Sequence, residues 1–427
     1  MNRRLLSFVT YTGYFIIGIV SFIISPTLPV IIKDFNITKG VAGAIFTANA
    51  AGNFVGVLAG GFFSDLIGKK PLVVLGCLLQ IIGFTFTAIT GSWALVLGFF
   101  FITGMGRGFL NTCFNALIAD INTHRRGAAF NTLHGIYGAG CLIGPALAGL
   151  MLSLDYEWRV VYYCAAALWM LYMIAIIPIT YPAASTVNND VNNSVHSPAK
   201  GLAAWNSKKT YSKRISLKNS DINDFSIRTI LFSPAFIMLF IVSFIYNSSA
   251  TGLIGWINTY LEGMEFSILL GAGMVSIFYL GLTIGRFICR FLSEKVGYSK
   301  TILACAIGCF VFYPLIIYAT NSTLIAAGVF FSGLFFSGLH PTGLAYANKL
   351  FPSISGTITG LLSTAMSLGA MSLPWLIGLV AEKSDFKAGF SIGFVLIIIL
   401  LGVAISLLLY EKKHRNGSQN MRYITQK

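Results

Sequence analysis

The sequence predicts an all-α polytopic membrane protein, with twelve transmembrane helices forming two six-helix pseudo-symmetric halves around a central cavity. Three observations predict it. The composition is too apolar for water, twelve apolar runs are long enough to cross a bilayer, and landmarks of the two halves differ by a constant 229 residues.

Of the 427 residues, 56% are apolar and 10% charged. Soluble domains carry roughly 25% charged residues, so a chain this poor in charge would aggregate in water. The apolar runs lie at about 7–32, 42–64, 71–90, 95–119, 129–153, 160–180, 231–257, 266–289, 300–319, 323–348, 356–380 and 388–410. Residues 1–180 thus form one half and 231–410 the other. A polar stretch at 181–230, rich in Asn, Ser and Lys, links them, and 411–427 forms a tail. The first run follows basic residues like a signal peptide. It continues to Ile32 without a small-residue cleavage site, so a retained first helix is expected. All seven cysteines fall inside apolar runs, where thiols pack as small hydrophobes.

Charge sets the expected orientation. With both termini in the cytoplasm, loops on that side hold 22 of the 29 Lys and Arg, against five on the other side (Lys33, Lys39, Arg159, Lys383 and Lys387). The net charge of +15 therefore reports topology in a plasma membrane and calls for no nucleic-acid partner.

The offset runs through separate landmarks. Gly61, Asp65 and Gly68 after the second segment match Arg290, Glu294 and Gly297 after the eighth. Gly104 matches Gly333, and Pro145 matches Pro374. Such a tandem duplication is expected of transporters whose site lies between the repeats near the midplane.

These residues carry a resemblance. GGFFSDLIGKK at 60–70 resembles the signature loop of the major facilitator superfamily, which implies a charge latch. Its members here would be Gly61, Asp65, Gly68, Lys69, Asp120 and Arg125, with Arg290 and Glu294 in the second half. GAGCLIGPALAG at 138–149 resembles a fifth-helix motif common in exporters and also seen in importers, so it leaves direction open. Its glycines equally suit close helix packing. NTLHGIYGAGCLIGP, TGLIGWINTYL and the Gly-x-Gly-x-Gly start of the fourth segment resemble the fucose and glucose permease branch. That branch would place glutamates where Asn111 and Ala250 stand.

The candidate substrate site begins with Arg107, which sits at the centre of the 95–119 run. It is about 18 Å from either end at 1.5 Å per residue, too far to snorkel. A buried arginine costs roughly 2.5–3.5 kcal/mol on insertion scales, so it should face a polar cavity unless it caps carbonyls for packing alone. Asn111 and Asn115 follow at i+4 and i+8 on the same stripe. His340 lies 229 residues after Asn111 and is expected across the cavity. Asn247 and Trp256 complete the set, Asn247 as donor and acceptor and Trp256 as a stacking face or an interfacial anchor.

All 14 Asp and Glu lie at helix ends or in loops. The chemistry expected is secondary active or facilitative transport of a small polar solute, sugar-like or an organic anion, by a monomer in the lipid bilayer. Drug or amphiphile efflux is the alternative. The sequence offers no nucleophile motif, metal-ligand cluster or Gly-rich phosphate loop, so no catalytic residue, metal or cofactor is expected.

Overall fold

The computed structural model describes residues 3–121, 126–181, 231–351 and 355–425. Among them the chain forms α1 (Arg3–Ser21), α2 (Ile24–Asp34), α3 (Lys39–Ile67), α4 (Lys69–Ile89), α5 (Trp93–Ile121), α6 (Arg126–Ser153) and α7 (Trp158–Ile176). The second half supplies α8 (Pro234–Glu262), α9 (Ile268–Val296), α10 (Tyr298–Tyr318), α11 (Ser322–Leu350), α12 (Ser355–Lys383) and α13 (Phe386–Thr425). Taking α1 and α2 together, twelve spans are long and apolar enough to cross a membrane.

The first span departs from the single helix expected over 7–32. It breaks at Phe22–Ile23 because Pro26 has no N–H to give to the Phe22 carbonyl four residues back. The Ser25 N–H, 3.1 Å away, serves that carbonyl instead.

Glycines set the packing within each half, and they repeat. Gly52 and Gly56 of α3 lie against the Phe101 and Met105 carbonyls of α5, while Gly104 lies against the Asn49 carbonyl of α3. Shifted by 229, Gly281, Gly285 and Gly333 lie against the carbonyls of Phe330, Leu334 and Phe278. A β-carbon at any of these six positions would collide with backbone, so the helices touch main chain to main chain. The turns after α3 and α9 repeat as well. Gly68 has φ 85° and Gly297 φ 96°, both with ψ near 160°, a region essentially closed to other residues.

The 138–149 motif packs on two sides. Gly140 and Gly144 lie on the α1 backbone, whereas Gly138 and Gly149 face Thr283 and Ala272 of α9.

The two halves meet away from the end where α7 finishes and α8 begins, here called the linker end. Ser25 Oγ donates to the Ile254 carbonyl at 2.5 Å and accepts from Asn258 Nδ2 at 2.9 Å. Thr47 donates to the Met371 carbonyl, and Gly40 N–H to Glu382. Lys33 pairs with Glu262 at 2.5 Å. Phe46 packs edge-on against Trp256, whose centroid is 5.8 Å away. Together these contacts seal the far end.

Candidate functional site

Below that seal lies a cavity of about 680 Å³, lined by both halves. Its wall runs from Phe22 and Ile24 at the broken first span down to Val57 and Leu58 on α3 and Thr359 and Gly360 on α12, towards the linker end. In the first half, amides and a cation stand on α3 and α5, with His134 and Tyr137 on α6, while α12 adds the hydroxyls of Thr359, Ser363, Thr364 and Ser367. Arg107 Nη2 donates to Asn49 Oδ1 at 2.8 Å, and its Nε lies 3.4 Å from Asn53 Oδ1. Asn49 is itself fixed by donating to the Phe100 carbonyl and Thr103 Oγ1, both at 3.0 Å. Gln80 donates to the Thr103 carbonyl at 2.7 Å. The guanidinium is thus oriented by two amide oxygens, and it has five N–H donors, more than these two bonds use.

One to two turns along the same helix, Asn111 and Asn115 also line the cavity. Asn115 donates to the Asn111 carbonyl at 2.7 Å and lies 3.3 Å from Tyr14 Oη. Tyr14 in turn packs edge-on against His134 and tilted against Tyr137, both lining residues. From the second half come Asn247 and Thr251 of α8 and Arg286 of α9. Asn247 Nδ2 donates to the Met366 carbonyl at 2.7 Å, leaving its oxygen available. None of the lining residues is an aspartate or glutamate.

Two arginines thus line one cavity between the halves, closed off at the end where Lys33 meets Glu262. Comparison with known proteins decides the family. The model of the Major Facilitator Superfamily matches residues 10–295 and 272–422. The chain belongs to the major facilitator superfamily.

A cis,cis-muconate transport protein of Acinetobacter baylyi is 26% identical over 409 residues, covering 92% of this chain and 91% of that protein. The quinolone resistance protein NorA of Staphylococcus aureus is 28% identical over 190 residues, 44% of this chain and 48% of NorA. Among solved structures, the nucleoside transporter NupG superposes with a TM-score of 0.74 at 12% identity, covering 95% of this chain and 99% of that one. A D-xylose–proton symporter gives 0.74 at 14% identity, covering 94% and 96%. At those identities the superpositions show the shared fold. As a member of this superfamily the chain is a multi-pass membrane transporter for a small molecule, working by alternating access.

Within that frame the expected site residues separate. Arg107, Asn111, Asn115 and Asn247 line the cavity, whereas Trp256 and His340 do not. Trp256 is fully buried, and its indole N–H donates to the Pro374 carbonyl at 2.6 Å, so it belongs to the seal between halves. In this structure no face of its ring is open to the cavity. His340 stands behind the lining, stacked on Tyr246 with rings 9° from parallel, its Nδ1 3.4 Å from Ser243 Oγ. Pseudo-symmetry set its helix position correctly, but the ring turns towards α8 rather than towards solute.

Of the charge-latch residues, Lys69 forms an ion pair with Asp120, joining the start of α4 to the end of α5. Glu294 is exposed near the end of α9, Gly61 has open space beside it, and Gly68 makes the turn. Arg125 and the side chains of Asp65 and Arg290 lie outside the described residues.

Arg286, Asn49 and Asn53 line the cavity although they stand outside the residues expected from the sequence, and so does His134, whose place near the basic loop ranks it behind His340. A signal for Arg286 was present: of the 29 Lys and Arg, loops account for all but Arg107 and Arg286. Asn49 and Asn53 stand at i and i+4 inside an apolar run, the spacing of one helix face.

Proposed function

We propose that this transporter moves a small organic anion, and that Arg107 is its principal anchor. The observation that carries the reading is a cavity lined by two arginines and no carboxylate. An intramembrane guanidinium without a counter-ion favours an anion, and its planar fork suits carboxylate, sulfonate or phosphate groups. The relative that matches nine-tenths of this chain is named for muconate, an organic dianion, which supports the same chemistry. Drug or amphiphile efflux is the second reading, with a half-length match to a protein named for quinolone resistance, but a cationic drug would be better served by an acidic cavity.

The same reading places both termini and the 181–230 linker in the cytoplasm of a plasma-membrane monomer, with the cavity open inward. Labelling, from outside intact cells, of cysteines introduced into the linker would remove that orientation. The Lys69–Asp120 pair serves as part of a latch at the inner face. Asp120→Asn is expected to lower flux more than insertion, and unchanged flux would show that the pair has no part in gating.

The central test is thermal shift of the purified protein with carboxylates, sulfonates and neutral sugars, since a ligand of the folded state raises its melting temperature. Organic anions should stabilise the parent, Arg107→Lys should weaken the shift and Arg107→Gln abolish it. Undiminished binding of a neutral sugar by Arg107→Gln would overturn the anion reading.

A further inference from the structure

The cavity joins two cations from different halves, and their surroundings differ. Arg107 on α5 is held by the oxygens of Asn49 and Asn53. Arg286 on α9 lines the same cavity, and among the described residues no protein group hydrogen-bonds or ion-pairs with it. The three ion pairs of the described residues, Lys33–Glu262, Lys69–Asp120 and Arg159–Asp34, lie at helix ends and offer the cavity no counter-ion.

The two guanidiniums act on the same neighbours. Cys141 and Tyr279 are within electrostatic reach of both. Tyr137 is within reach of Arg107, and Tyr14 and His134 within reach of Arg286. A solute beside Tyr137 and Tyr14 therefore lies within the field of both cations. Neither arginine belongs to the repeated frame. Phe336 stands 229 residues after Arg107, and Val57 stands 229 before Arg286. Each half has thus acquired one cation at a place where its twin has an apolar side chain, as expected of a site laid over a duplicated scaffold.

We infer that the solute carries two acidic groups, one bound by Arg107 on the N-terminal half and the other by Arg286 on the C-terminal half. This rests on the organic-anion reading above and narrows it to dianions. A single carboxylate neutralises one cation and leaves the other facing it across the cavity. A dicarboxylate neutralises both and ties the halves together, so binding itself favours closure at the linker end. Arg286 is then the residue that separates diacids from monoacids.

The test compares succinate, glutarate, adipate and pimelate with their monomethyl esters, by calorimetry on the parent, Arg286→Gln, Arg286→Lys and Arg107→Gln. At the best chain length the parent should prefer the diacid over its half-ester by roughly 10- to 100-fold, the worth of one hydrogen-bonded charge pair. In Arg286→Gln that ratio should fall close to one, and Arg286→Lys should recover part of it. Equal parent affinities for diacid and half-ester would overturn the inference while leaving the organic-anion reading intact. So would an equal loss for both in Arg286→Gln with the ratio preserved. Should Arg286→Gln fail to insert, the parent ratio and Arg286→Lys still decide. Absence of any anion binding by the parent would remove both readings.

Discussion

Lys33 and Glu262 stand 229 residues apart at equivalent positions of the two halves, and they form an ion pair with each other at 2.5 Å. Ser25 and Ile254, separated by the same interval, are also bonded. Residues that pair with their own repeat equivalents lie beside the pseudo-twofold axis, so α2 and α8 approach along it and shut the far end.

Lys33 is 72% exposed, and such pairs contribute about 0–1 kcal/mol. Lys33→Ala should therefore shift the conformational equilibrium by about fivefold at most. Lys33→Glu, which places like charges together, should open the far end further, and adding Glu262→Lys should restore closure. The readout is labelling of a cysteine at Ala370, a cavity-lining position, in a Cys164→Ser background, by an impermeant maleimide applied from the Lys33 side. Equal labelling in all variants would show that the pair has no gating role.

Trp256 contributes more to that seal. Trp256→Phe leaves the Pro374 carbonyl without its indole donor in a dry interface, a loss of about 1–3 kcal/mol. Labelling at Ala370 should rise and the melting temperature fall, while the affinity of the inward-facing protein for solute changes little. A large drop in affinity with an unchanged melting temperature would put Trp256 back in the solute site.

Packing at the repeated glycines predicts matched damage. Gly52→Val and Gly281→Val each drive a side chain into a backbone carbonyl that cannot retreat, and overpacking of this kind costs about 1–3 kcal/mol or more. Both should lower detergent-solubilised stability by similar amounts. Gly61→Val, where a side chain meets open space, should be nearly silent in the same assay.

Energy coupling turns on the titratable groups that reach solute. With no carboxylate in the wall, His134 is the cavity-lining histidine, and it sits within the field of Arg286. Solute-driven pH change in proteoliposomes should be absent from the start or vanish in His134→Gln. His340→Gln should leave it in place, since that ring faces Ser243 and Tyr246. Proton movement that survives His134→Gln and vanishes in His340→Gln would reverse the assignment.

The frame was legible because it is written twice. Gly104 and Gly333, or Gly68 and Gly297, answer the same steric demand in each half, so an interval in the sequence became a contact in the fold. Arg107 was legible because a permanent charge in mid-bilayer has few physical explanations. The remaining site residues lie where the halves have diverged, and there the repeat misleads. It pointed His340 at solute through its equivalence to Asn111, although side-chain direction depends on local neighbours such as Tyr246. It gave no hint of Arg286, whose twin is Val57. The break before Ser25 was written in Pro26, yet a run of uniform hydropathy concealed it.

The mirrored glycine contacts bear on how the chain tolerates change. If every position were substituted in turn and fitness recorded, the tolerance profile of residues 39–121 should correlate with that of 268–350 at a lag of 229, because identical backbone approaches constrain both stretches. The correlation should fail at Asn53, Arg107 and Arg286, where the partners are Leu282, Phe336 and Val57. Places where the autocorrelation collapses would then mark solute chemistry directly, a map of specialisation obtained with no ligand in hand.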